Sequence, residues 1–225
     1  PTIVGLRRRG YTPEALQLFA ERIGVTKSDS WIDYSILEGA LRDDLDPKAA
    51  RAVAVLDPVK LELTNWGEVF TTDIEPCSAP AHPHHPEMGL RHFGLSRDLW
   101  IERDDFLEVP TKGYHRLYPG NKVRLKYGVV VECTGCTKDE NGNITAVQAK
   151  VIPDTKSGTP GADAIKVKGV ITWLSAAPGE LGAVAAEVRL YDRLFSEPQP
   201  DAGGRDFKSA LNLASKKITQ AWVGR

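Results

Sequence analysis

At 225 residues, 41% hydrophobic and 26% charged, the chain is long enough for one large domain or two small ones and has the apolar content to bury a core. A net charge of −1 and an isoelectric point near 6.6 exclude nucleic-acid binding through bulk charge, so any such binding must come from a localised patch. No run approaches the roughly eighteen apolar residues of a membrane helix, and the opening PTIVGLRRRGYTPE lacks the apolar core of a secretion signal, which points to a cytoplasmic protein with no membrane partner.

Pro1 in place of an initiator methionine points to a piece of a longer chain. GLRRRG, Gly5 to Gly10, then sets three arginines ahead of the first predicted helix, open either to phosphate or to solvent. Thr12-Pro13-Glu14 is an N-cap, a first-turn proline and a first-turn acid, which predicts a helix from Pro13 to about Ile23, with Leu16, Phe19, Ala20 and Ile23 on its core face and Gly24 ending it. A second helix is expected from Ile32 or Asp33 to Leu45, with Ile36, Leu37, Ala40 and Leu41 on one face. Residues 1–50 therefore read as a helical subdomain.

Beyond Arg51 the period changes. AVAVLD and VKLELTN are short β-rich runs about the turn pair Asp57-Pro58, and further strands are expected at Asp98–Arg103, Lys122–Thr137, Ile144–Ile152, Val167–Ala176 and Val184–Tyr191. Asn141-Gly142-Asn143 is a hairpin turn, and residues 153–166 and 198–204 are polar loops. Many short strands between Gly/Pro-rich turns, with no amphipathic helices among them, predict antiparallel barrels or sandwiches over residues 51–225.

The richest stretch is KGYHRLYPGNKVRLK, Lys112 to Lys126, which carries Lys112, Arg116, Lys122, Arg124 and Lys126 and no acid. Pro119-Gly120-Asn121 is turn chemistry between two predicted strands, and in the second of these Lys122, Arg124 and Lys126 alternate with Val123 and Leu125, so the cations share a face. Such a face is either a solvated strand surface or a polyanion site; Tyr114, His115 and Tyr118 add rings among the cations, which suits unpaired nucleotides.

Cys133 and Cys136 have half-site zinc spacing, with Cys77, His82, His84 and His85 as conceivable partners, but no second C-x2-C or H-x3-H accompanies them, and Cys133 continues the apolar run VVVEC. Two strand cysteines and no metal are the expectation. The proline-rich PAHPHHPEMG, Pro80 to Gly89, reads as a rigid connector whose histidines can titrate, stack or bind metal.

PTIVGLRRRGYTPEAL, FAERIGVTKSDS, RAVAVLDPVKLEL, HPHHPEMGLR, LWIERDDF, YHRLYPGNKVRL, VKGVITWLSA and EVRLYDRLFSEPQP, in this order across nearly the whole chain, resemble the glutaminyl-tRNA synthetases downstream of their class I catalytic domain. The resemblance implies a mainly β fold: a helical subdomain at 1–50 that links the catalytic domain to two antiparallel, ribosomal-protein-like β-barrels at 51–225, proximal and distal, interleaved in sequence and incomplete at the C-terminus. It implies anticodon recognition within a glutamine–tRNA ligase, with a glutamine-specific tRNA and the remainder of the synthetase as partners and no DNA.

By position in the family's motifs, Arg51 corresponds to a reader of the middle anticodon base, a uridine, and Arg116 to a reader of the third, a guanosine, whose O6 and N7 suit a bidentate guanidinium. Arg124 corresponds to a contact on the loop backbone. His115 stands where some members carry lysine, Lys126 where some carry an arginine near the first base, and His84 where an asparagine contacts the loop. Thr26-Lys27-Ser28-Asp29 resembles a segment facing the inner corner of the tRNA.

No HIGH-type or MSK-type motif is present, so the resemblance places no catalytic residue and no cofactor in this stretch; ATP and Mg belong to the full-length enzyme. Three other readings stand beside this one: the same region of a glutamyl-tRNA synthetase, a free-standing ribosomal-RNA-binding barrel, against which residues 1–50 argue, and a zinc-stabilised interaction module.

Overall fold

The computed structural model describes residues 2–224, which form two compact units: residues 2–51 with 80–90, and residues 52–79 with 91–224.

The helical unit holds three helices, α1 (Ile3–Arg8), α2 (Pro13–Ile23) and α3 (Tyr34–Leu45). α1 departs from expectation, since GLRRRG lies within and just after a helix capped by Thr2, whose hydroxyl accepts from Gly5 N at 3.1 Å. α2 has the expected Thr12 cap and Pro13 start, and Gly24 leaves it at φ 65°, a left-handed conformation that favours glycine. Asp33 caps α3 by accepting from Ser35 N at 2.8 Å. Leu6, Tyr11 and Leu37 form the small core, flanked by Leu16, Phe19, Tyr34 and Leu41. Ala15 is buried in place of the expected Ala20, and Ile36 is exposed, so each helix turns a slightly different stripe inward than periodicity alone gives. Pro80–Gly89 runs through this unit and contains a 3-10 turn at Pro86–Met88.

The β unit is built on a seven-stranded sheet in the order β10-β5-β2-β8-β7-β6-β9, where β2 is Pro58–Leu63, β5 Asp98–Glu102, β6 Lys122–Leu125, β7 Val130–Lys138, β8 Ile144–Val151, β9 Gly169–Ile171 and β10 Trp173–Ser175. Its two end strands are separated in sequence by Thr172 alone, and Lys126, just past β6, donates its amide to Ile171 O at 3.0 Å while its carbonyl accepts from Trp173 Nε1 at 3.0 Å. The sheet thereby curls into a nearly closed barrel, and Val59, Leu61, Leu63, Leu99, Ile101, Val123, Leu125, Val131, Cys133 and Val147 fill it from alternate positions. Two pairings, β2 with β8 and β6 with β9, run parallel and supplement the antiparallel ladders.

A three-stranded sheet, β1-β12-β11, joins β1 (Ala54–Val55) to β11 (Val184–Tyr191) and β12 (Lys216–Val223), so the chain starts in this sheet, builds the larger one and comes back. Trp100 of β5 stacks on Trp222 of β12 with centroids 5.2 Å apart. A short helix, α4 (Trp66–Val69), and a two-stranded ribbon of β3 (Ile74–Pro80) and β4 (Leu90–Ser96) complete the described elements.

The expected single strand over Lys122–Thr137 is instead the hairpin β6–β7, which turns at Tyr127-Gly128 with Tyr127 at φ 60°. Val167–Ala176 likewise divides into β9 and β10. No strand precedes Pro119 in the basic stretch: residues 107–121 are irregular and are tied down by a bridge between Phe106 and Leu117.

Candidate nucleic-acid interface

The segment Tyr114–Tyr118 owes its shape to the 3-10 turn Arg103–Asp105 that follows β5. Leu117 donates its amide to Asp105 O at 2.9 Å, Leu107 donates to Leu117 O at 3.0 Å, and the Tyr114 hydroxyl donates to Asp104 O at 3.0 Å. Leu117 is fully buried, and the two residues that lead into this anchor, His115 and Arg116, are exposed. From that position Arg116 Nη1 donates to Asp105 Oδ1 at 2.6 Å. Burial pushes the Asp105 carboxyl up from its ordinary value, with Arg116 acting in the opposite direction. Asn121 Nδ2 donates to Arg116 O at 2.6 Å, so the turn beyond also holds the arginine's backbone. Gly169 closes the other side, because a Cβ there would lie 1.9 Å from His115 O.

The three cations that share the β6 face have different fates. Lys122 lies opposite Glu132 in the ladder and pairs with it at 3.4 Å. Arg124 is turned into the protein, its side chain 16% exposed, and donates to Thr155 O at 2.9 Å, Ala162 O at 2.5 Å and Ser157 Oγ at 3.4 Å. It braces the loop between β8 and β9. Lys126 is exposed, with Nζ 5.6 Å from the Tyr127 ring centroid. The acid-free basic stretch is therefore partly neutralised by acids from elsewhere in the chain, and Arg116, His115 and Lys126 are the groups left facing outward with Lys112.

Arg51 and His84 belong to the helical unit. Arg51 Nη2 donates to Asp46 Oδ1 at 2.7 Å and to Asp46 O at 3.1 Å, and its backbone amide donates to Ala81 O at 2.7 Å. Arg51 holds the Asp46 carboxyl below its usual value. His82 is 1% exposed and links the two segments: its Nδ1 accepts from His84 N at 3.1 Å, which puts the proton on Nε2, and that nitrogen reaches Asp46 O at 2.6 Å. The PAHPHHPEMG segment is thus held to the end of α3, with the His84 ring exposed beside a buried His82. His85 pairs with Glu87 at 2.6 Å.

Cys133 and Cys136 both lie on β7, and burial raises the Cys133 thiol to about 11. Among the described residues no group of three or more His, Cys, Asp or Glu could hold a metal ion, and no helix is long and apolar enough to cross a membrane.

Asp105 and Asp46 are supports that sequence reasoning did not single out, and His82, weighed there as a metal ligand, is instead a buried link between two segments. LWIERDDF carried the signal for Asp105, but an acid in a turn gives no indication that it will be buried against an arginine eleven positions later.

Residues 49–152 match the family described as the anti-codon binding domain of class I tRNA synthetases (E and Q), and residues 170–225 match a second family of the same description. Over 223 residues, the chain is 67% identical to the glutamine–tRNA ligase of Ralstonia pickettii (strain 12J), covering 99% of this chain and 38% of the relative. It is 65% identical to that of Ralstonia nicotianae and 60% identical to that of Bordetella pertussis, with 99% of this chain and 37% of each relative covered. The chain spans less than two-fifths of the length of these relatives.

Proposed function

Because the chain belongs to the anticodon-binding family of class I tRNA synthetases (E and Q), we propose that it reads the anticodon loop of a glutamine tRNA as part of an ATP-dependent glutamine–tRNA ligase. ATP, Mg and the amino acid would be handled by the rest of the synthetase, to which residues 1–50 would link the β unit. The observation that carries this reading is Arg116: an exposed guanidinium on a rigid, irregular segment, anchored at one nitrogen by a buried carboxylate and free to present its remaining donors.

In this reading Arg116 donates a bidentate pair to the third anticodon base, a guanosine, with His115 beside it. Arg51, steadied by Asp46, addresses the middle base, a uridine, and His84 the loop near it. Lys126 supplies a point charge near the first base. Arg124 serves the loop indirectly, by holding residues 155–162 in place.

The test is the affinity of the protein for a glutamine tRNA transcript and for the same transcript with its middle base changed, at near-physiological salt. A selective loss on the single base change supports base-specific reading. Equal affinity for both overturns it and leaves a general RNA surface.

A further inference from the structure

A cleft opens on the β unit at the seam between β9 and β10, and of the residues already given a role only Lys126 lines it. Arg91 of β4 forms one wall, with its Cζ 4.9 Å from the Phe93 ring centroid, and Phe93 in turn meets the buried Trp173 edge to face at 5.4 Å. Arg91 Nε is buried and has no hydrogen-bond partner in the protein. Burial weighs against the charge on this guanidinium. The buried Nε is itself out of reach of an outside acceptor, so what Arg91 can offer the cleft is its terminal guanidinium nitrogens, held against a core aromatic.

Lys126 and Tyr127 line the cleft as well. Tyr127 sits at φ 60°, a left-handed conformation that costs a bulky residue free energy and that glycine would occupy without strain. That backbone sets the Tyr127 ring on the cleft next to the Lys126 ammonium. Trp173 is fixed beneath by its bond to the Lys126 carbonyl, and Gly128 makes room for it, since a Cβ there would come within 3.2 Å of Trp173 Cζ2. Glu180 also lines the cleft and disfavours an anion beside it, which leaves the cations Arg91 and Lys126 as the seat.

We propose that this cleft seats a phosphodiester of the bound RNA strand, with Arg91 and Lys126 donating to its oxygens and the adjoining unpaired base lying against the Tyr127 ring. Two cations flanked by an aromatic face form the combination that single-stranded RNA uses, phosphate on the donors and base on the ring. The inference rests on the RNA-binding reading and adds Arg91 and Tyr127 to it.

The experiment measures binding of the glutamine tRNA transcript across a salt series for the unmodified protein, Arg91→Gln, Arg91→Lys and Arg116→Ala. Arg91→Gln is expected to weaken binding about tenfold and to lower the slope of log affinity against log salt by about 0.7, the contribution of one phosphate contact on a single strand. Arg91→Lys keeps the slope and recovers part of the affinity, because it retains the charge without the fork. An unchanged slope and affinity in Arg91→Gln, alongside a weakened Arg116→Ala, overturns this inference and leaves the anticodon reading intact. Failure of the unmodified protein to bind overturns both.

Arg91 packs on core aromatics, so a second measurement avoids substitution. The unmodified protein is photo-crosslinked to transcripts carrying 4-thiouridine at single loop positions. A crosslink in the peptide that contains Tyr127 supports the seat, and crosslinks confined to other peptides overturn it.

Discussion

Arg116 and Asp105 form a pair of unequal exposure: the guanidinium side chain is 51% exposed and the carboxylate that accepts from it at 2.6 Å is 7% exposed. The acid is rooted in the barrel and the base projects outward, so the pair aims the arginine more than it stabilises the fold. Asp105→Asn keeps an acceptor but loses the charge. We expect it to leave folding stability within about 1 kcal/mol of the unmodified protein, since a half-exposed ion pair contributes little. RNA affinity should fall all the same, as Arg116 loses its fixed direction.

The same carboxyl gives a pH signature. Its folded pKa is raised by burial, so between its ordinary value of about 4 and the raised folded value the native state keeps a proton that the unfolded chain has lost. Stability contributed by this group therefore falls as pH rises through that window. Asp44 in the helical unit has the opposite sign: Lys48, then the Thr12 hydroxyl at 2.6 Å, hold it below its usual value. Its contribution is present above about pH 4 and is lost as pH falls through the folded pKa. Urea unfolding from pH 3 to 7 checks both. Asp44→Asn should reduce the loss of stability at the acid end, and Asp105→Asn should remove a component that works against it.

Arg124 should behave as a structural residue. Its guanidinium satisfies the carbonyls of Thr155 and Ala162 from a largely buried position, and methionine there would orphan both. Arg124→Met is expected to cost about 2–3 kcal/mol in denaturant unfolding and to speed proteolysis within residues 153–166. Arg116→Ala should do neither.

Gly169 makes a steric prediction. The alanine methyl would start 1.9 Å from the His115 carbonyl, which is backbone and cannot swing away. Gly169→Ala should destabilise the β unit by about 1–3 kcal/mol, as overpacking does. It should also weaken RNA binding beyond what the lost stability explains, since the displaced segment carries His115 and Arg116. Melting temperature and tRNA affinity measured on the same preparation separate the two effects.

Helices α2 and α3 and most strands of this fold are legible in the sequence because their signals are local, whereas α1 and α4 are too short to show a helical period. Thr12-Pro13 starts α2 where expected, α3 begins at Tyr34 and ends at Leu45 within a residue or two of the expected bounds, and Val59, Leu61 and Leu63 alternate as a half-buried strand does. What escaped is non-local or locally contradictory. Tyr127 is a strand former that turns the chain with φ 60°, so β6 and β7 read as one strand. β3 contains Pro76 and Pro80, tolerable in a two-stranded ribbon but poor as a strand signal, and β12, KKITQAWV, is too polar at its start to stand out.

The site divides in the same way. Spacing and rings drew attention to Arg116 and Lys126, and the family's motifs to Arg51. No local rule foretold that Arg124 on the same strand face would be taken up by the loop at 155–162, nor that His82 would be buried against Asp46 at the end of α3. Both outcomes depend on contacts between residues tens of positions apart.

Arg116 is proposed to read the third anticodon base. The most direct measurement is the binding of the unmodified protein and Arg116→Ala to a glutamine tRNA transcript and to the same transcript with the third base replaced, four dissociation constants at one salt concentration. A loss of about 1–3 kcal/mol is expected for either change alone, with little further loss when both are made, because each removes the same contact. If Arg116→Ala still discriminates between the two transcripts as strongly as the unmodified protein does, another group reads that base.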